Sequence, residues 1–179
     1  MRQLEREPVW RAVRWEAPWT RRALTVVEAA AQGTKLWWGV AALMSVFGGS
    51  AGRRTAAHAL VSMGLAEAVT TKVVKNIADR PRPPLRLLPP ALARQQPDSS
   101  SFPSGHAAAA VGFTAAVALR HPGRGSPLGI PAAAVAAARV HSGAHYPGDV
   151  VAGAVLGAAI AWAMHRARLR AFHASGVRA

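Results

Sequence analysis

The chain has 179 residues, 51% of them hydrophobic but only 6% aromatic, with a mean hydropathy of +0.13. That length suits one domain, and that apolar content excludes a disordered chain. Lys and Arg number 22 against 8 Asp and Glu, a net charge of +14 that implies anionic partners: nucleic acid, a membrane surface or a phosphorylated substrate. Cysteine is absent, which excludes disulfides, thiolate metal sites and Cys nucleophiles.

Residues 1–33 mix Arg, Glu and Trp (Trp10, Trp15, Trp19) before turning Ala-rich. An amphipathic helix at a membrane interface has this composition, and a solvated helix packed on the domain is the alternative. No cleavable signal is expected, because the first apolar run starts only near Leu36 and Glu5, Glu7 and Glu16 do not fit a transit peptide.

Five apolar runs follow: Leu36–Gly49, Ala56–Val74, Ala107–Leu119, Leu128–Ala138 and Val150–Met164. Most fall short of the roughly 20 residues that cross a bilayer core, but Ser, Gly, His and Thr in their flanks are tolerated inside a bundle and extend them. Buried helices of a soluble all-α protein are the competing reading. Five such runs would leave little polar helix face for water, which favours lipid as the surroundings. Gly153 and Gly157 form a GxxxG that suits close helix contact. Alternating strand patterns are scarce. The expected fold is therefore all-α, an integral-membrane bundle of about five to six helices with its active site at one end. It divides into an interfacial region 1–33, a catalytic bundle 34–165 and a basic tail 166–179. Segment 79–103, rich in Pro, Arg and Ser, is the one long irregular stretch, and loops of that length are commonly functional.

Three clusters sit at the ends of the runs. In the first, Lys75 closes run two and the prolines stop the helix at about Asp79, so Arg80 and Arg82 lie on extended backbone. Lys75 and Arg82 can converge there on one anion; a basic membrane-flanking loop is the alternative. The second, Pro103-Ser104-Gly105-His106, is a helix N-terminus whose unpaired N–H groups and dipole bind phosphate, with His106 in the first turn. Such a tetrapeptide arises by chance in a chain of this length roughly once in a thousand; a capping Ser with an incidental His is the alternative. The third runs from Arg139 through His141 and His145 to Asp149. On a helical turn His145 and Asp149 share a face, and the carboxylate can hold the imidazole Nδ1–H while the other nitrogen stays free to attack. His141 and His145 also have metal-ligand spacing, but no third ligand is evident, and no metal or other cofactor is expected. Loops 79–103 and 139–149 bring these cations, the helix N-terminus, two His and one Asp to the same end of an antiparallel bundle.

Taken together, Lys-x6-Arg-Pro, Pro-Ser-Gly-His and Arg-x5-His-x3-Asp, in that order, resemble the three-part signature of the type-2 phosphatidic acid phosphatase and haloperoxidase superfamily over about residues 56–165. The resemblance implies a helical protein that, in membranes, removes phosphate from lipid phosphates and diphosphates without a metal. It assigns Lys75, Arg82 and Arg139 as phosphate ligands, with Ser104 and Gly105 completing the cradle. His145 becomes the nucleophile that forms a phosphohistidine, Asp149 orients it, and His106 protonates the leaving oxygen. Ala138 stands where many members carry Ser before the Arg of the third motif, which removes one hydrogen bond and no group the chemistry needs.

The expected function is hydrolysis of a lipid phosphate or diphosphate monoester, with polyprenyl phosphate or diphosphate and phosphatidate as the leading substrates. The partners are the substrate and the bilayer, with no nucleic acid. The apolar loop piece Leu85–Leu88 suits a chain entering from the side. A non-catalytic basic membrane- or anion-binding protein and a vanadate-dependent oxidase on the same cradle are the alternatives. Arg53, Arg54, Arg120, Arg124 and the Arg166–Arg170 group lie opposite the active site, so the positive-inside rule puts the catalytic end outside the cell membrane. Five spans then leave the N-terminus outside too, unless residues 1–33 re-enter, lie in the interface, or the orientation is reversed. Glu67, inside run two, is expected to pair with a cation or to line the lipid entrance.

Overall fold

Proline and glycine punctuate this Ala-rich chain into helices, and a computed structural model shows how they assemble over residues 2–13, 18–84 and 99–174. Residues 1, 14–17, 85–98 and 175–179, and with them Trp15 and the stretch Leu85–Leu88, lie outside the described residues. Seven helices carry the fold: α1 Arg2–Val13, α2 Pro18–Ala31, α3 Lys35–Phe47, α4 Gly49–Ala68, α5 Gly105–Arg120, α6 Gly129–His141 and α7 Pro147–Ala174. No strand occurs among the described residues, and the fold is an all-α bundle.

Helices α4, α5 and α7 form the centre, with α5 packed along both others. Gly153 and Gly157 make that packing close. A Cβ on Gly153 would run into the carbonyl of Ser104, and one on Gly157 into the backbone of Ala108 and Gly112. The core is built mostly from Ala, with Phe113 and Trp37 packed as tilted rings, 5.2 Å between centroids, as its bulkiest pair.

Two features were not legible as simple runs. Helices α2 and α3, joined by a 3-10 turn over Gln32–Thr34, follow one another along the bundle. α2 packs on α6 near the site-bearing end, and α3 packs on α4 toward the far end. Together they form one broken helical segment of the bundle. In addition, α4 does not run straight into Lys75: it widens into a π turn over Val69–Val74 and ends with a last turn, Lys75–Ile77. Such π turns re-aim the residues that follow and recur at functional sites.

Helix α7 continues without a break to Ala174, past the boundary placed at 165/166. It is long and apolar enough to cross a membrane; α3 is apolar but shorter. Large apolar side chains cover the outside of the bundle, among them Val46, Phe47, Val61, Ile130, Val155 and Trp162, each more than half exposed. Glu67 is also exposed, with no ion pair among the described residues.

Candidate active site

Four local structures meet at one end of the bundle: the last turn of α4 with its extended continuation, the N-terminus of α5, the C-terminus of α6, and the turn 142–146 into α7. Ser104 caps α5 from extended backbone, its hydroxyl accepting from Ala107 N at 3.4 Å. Its own N–H donates to the Asp149 carbonyl at 2.9 Å, so Ser104 is fully buried with both groups engaged. The N–H groups of Gly105 and His106 are left at the helix start without intrahelical acceptors, where the dipole favours an anion.

Arg82 ties two loops together. Its Nε donates to the Ser99 carbonyl at 2.9 Å, Nη2 to the Ser99 hydroxyl at 3.2 Å and Nη1 to the Ala144 carbonyl at 2.7 Å. Lys75 Nζ reaches the same Ser99 hydroxyl at 3.5 Å. Arg139, in the last turn of α6, is 8% exposed, and its carbonyl accepts from His145 N at 3.1 Å.

His145 is 2% exposed, and its Nδ1 lies 2.7 Å from the Ser101 carbonyl. A carbonyl only accepts, so Nδ1 carries the proton and Nε2 carries the lone pair. The expected hydrogen bond from Nδ1–H to Asp149 is not made: Oδ2 stands 3.9 Å from Nδ1. Instead Asp149, at the third position of α7, reaches back to Tyr146 N at 2.9 Å, as an acid does in a capping box. Its Oδ1 accepts from Arg80 Nη1 at 2.6 Å. The carboxylate is thus fully committed to the turn that carries His145, and it holds the ring's surroundings rather than the ring.

Burial, and then the fields of Arg139 and Arg82, push the His145 imidazole down to about 2; Lys75 adds to this and the Ser101 bond opposes it. Burial and the same three cations, Arg139, Lys75 and Arg82, push His106 down to about 4. Both rings lie outside the apolar stretches 107–119 and 150–164. The site is therefore two neutral imidazoles facing three cations at a helix N-terminus.

Every residue expected at the site comes to this end of the bundle, but Ser104 serves as a cap and Asp149 as a brace. Arg80, Ser101 and Tyr146 were missed. The guanidinium of Arg80 lies 4.6 Å from the centroid of the Tyr146 ring while it binds Asp149. Its place two residues before Arg82 on extended backbone was the available signal. The Ser101 carbonyl leaves no trace in sequence, because any residue has one. His141 is turned the other way: its Nδ1 lies 2.7 Å from the Ala12 carbonyl of α1.

A helical bundle that gathers three cations and two imidazoles at a helix N-terminus is suited to binding a phosphate group. The chain belongs to the PAP2 superfamily, whose family model matches residues 55–172. That is a family of lipid phosphatases. The fold is similar to the crystal structure of a transmembrane PAP2-type phosphatidylglycerolphosphate phosphatase from Bacillus subtilis, with a TM-score of 0.69 at 19% identity, covering 94% of this chain and 86% of that one. Comparison with curated protein sequences gives no match.

Proposed function

We propose that the chain is a membrane-inserted phosphatase that removes a terminal phosphate from a lipid phosphate or diphosphate through a phosphohistidine on His145. The observation that carries this reading is the His145 ring, buried and neutral, with Nδ1–H held by Ser101 and its Nε2 lone pair among three cations. A phosphoryl group cradled by Lys75, Arg82, Arg139 and the N–H groups of Gly105 and His106 presents its phosphorus to Nε2. The phosphate's negative charge offsets the three cations that, on top of burial, keep His106 neutral, so His106 takes up a proton as the substrate binds. The nitrogen–phosphorus bond then forms as the bond to the lipid oxygen breaks, and His106 passes that proton to the oxygen. Water then attacks the phosphohistidine, with His106 taking its proton. Charge neutralisation and positioning do most of the work in phosphoryl transfer, and three fixed cations supply both. A positioned His adds typically 10²–10⁴-fold through proton transfer. The carboxylate nearest the pocket, Asp149, is engaged by Arg80 and Tyr146 and does not offer itself to a divalent cation.

The membrane placement rests on the apolar outer surface, on the length of α7 and on a fold shared with a transmembrane enzyme. Polyprenyl phosphate or diphosphate and phosphatidate fit the chemistry, and phosphatidylglycerolphosphate joins them from the structural neighbour. The test is phosphate release by detergent-purified protein from each of these lipids, with chelator present. Wild type should release phosphate and His145→Ala should lose at least a thousandfold. Equal activity in the variant would overturn the assignment of His145, and no release from any lipid by folded wild type would favour a binding protein.

A further inference from the structure

The end of the bundle opposite the active site is strongly basic and has no counter-charge among the described residues. Arg54, His58, Arg120, His121, Arg124, His165 and Arg168 gather there, while no Asp or Glu occurs in residues 29–66, 99–148 or 150–179. Arg120, Arg168 and His165 stand near enough to His58 to act on it electrostatically, and Arg54 and Arg168 act likewise on Arg120. Thr55, fully buried, is the hub. Its hydroxyl donates to the Ala51 carbonyl at 2.9 Å and accepts from Arg120 Nε at 3.2 Å, with His121 Nε2 at 3.1 Å. Two buried imidazole atoms, His58 Nε2 and His165 Nδ1, have no hydrogen-bond partner among the described residues.

A cavity of about 390 Å3 opens beside this cluster, between α3, α4 and the 121–128 turn. Its walls are apolar, with Val40, Leu43, Phe47 and Leu128, and its rim carries Thr55, His121 and Arg124. An apolar slot of this size lined at its polar edge by Arg124 and His121, with Arg120 bonded to the same Thr55, is complementary to one kind of molecule, an acyl chain attached to an anionic head group.

We infer that this far end holds a second lipid site, occupied by an anionic glycerophospholipid of the leaflet opposite the active site. One acyl chain lies in the slot, and the head-group phosphate sits on Arg124, His121 and Arg120. Binding there joins α3 and α4 to the 121–128 turn and lowers the repulsion among cations that have no acidic partner, so the lipid stabilises the fold. The inference rests on the membrane placement proposed above and not on the chemistry at the other end. Failure of phosphate release would leave it standing.

The test is the thermal midpoint of the full chain in non-ionic detergent, titrated with dioctanoyl phosphatidylglycerol, dioctanoyl phosphatidylcholine or inorganic phosphate. Phosphatidylglycerol should raise the midpoint in wild type and equally in His145→Ala, whereas phosphatidylcholine and phosphate should not. Arg124→Gln, which removes an exposed charge, should weaken the apparent affinity about tenfold. Leu43→Trp, which fills the slot without touching a charge, should weaken it as well. An equal rise with phosphatidylcholine, a matching rise with inorganic phosphate alone, or wild-type affinity in both variants would each overturn the proposal.

Discussion

His145 illustrates how a single residue can be readable in type and unreadable in its contacts. The motif around it announces an imidazole near an anion site, and spacing places Asp149 one turn on. The partner that sets its tautomer is nonetheless the Ser101 carbonyl, 44 positions away. Backbone acceptors carry no residue identity, so no pattern could have named it. The burial that makes this ring neutral also ties it to stability. Its pKa falls from 6.5 in the unfolded chain to about 2 in the folded one. Between those values the unfolded state binds more protons, so stability is complete above about pH 6.5 and declines as pH falls toward 2. Moving from pH 7 to pH 5 should cost the wild type about 2 kcal/mol through this ring alone. His145→Asn lacks that linkage, so its thermal midpoint in detergent should fall less over the same interval. Parallel falls in the two proteins would show that the ring is not held neutral by burial.

At the scale of elements, legibility follows the range of the forces involved. Apolar runs, the prolines after Asp79 and the Ser104 cap are local signals, and they foretold α3, α5 and α6 to within a few residues, whereas α4 starts seven residues before its run, at Gly49, and α7 runs on to Ala174. The π turn at Val69–Val74 was not foretold, because Thr and Val there are compatible with an ordinary helix. A Cβ added at Gly105 would meet the methyl groups of Thr71 and Thr70 at 3.7 and 3.8 Å at that junction. The GxxxG of α7 was a weak signal whose meaning the packing supplies. This gives a paired prediction. Gly157→Ala places a methyl against the backbone of α5 and should destabilise by roughly 1–3 kcal/mol. Gly39→Ala on α3 meets nothing within 4 Å and should be neutral or stabilising by about 0.5–1 kcal/mol, since alanine is the better helix former. Thermal midpoints of the two variants moving in the same direction would contradict this account of the α5–α7 contact.

For the whole molecule, the fold removes a conflict that the sequence posed. Five passes with the active site outside demand that the N-terminus be outside too, which sat awkwardly with an Arg-rich region read only by composition. In the structure α1 belongs to the site-bearing end. Val9 and Val13 pack against Tyr146 in a small apolar cluster of their own, and the Ala12 carbonyl meets His141. Under the membrane placement proposed above, the pair α2 and α3 counts as the first pass, and α4, α5, α6 and α7 as the other four. An odd number of passes sends the end of α7 to the side opposite α1, together with Arg53, Arg54, Arg120, Arg124, Arg166, Arg168 and Arg170. Basic residues gather on the cytoplasmic side of membrane proteins, so α1 and the active site should face outward. Because the natural chain has no cysteine, one introduced thiol reports its own position without background. Glu7 on α1 and Arg170 on α7 are both exposed, and Glu7→Cys and Arg170→Cys leave the core untouched. In intact cells expressing either variant, a membrane-impermeant maleimide should label Glu7→Cys directly and Arg170→Cys only after permeabilisation. The reverse pattern would invert the orientation while keeping five passes. Labelling of both from outside would break the five-pass topology itself, because α1 and the end of α7 would then share a side.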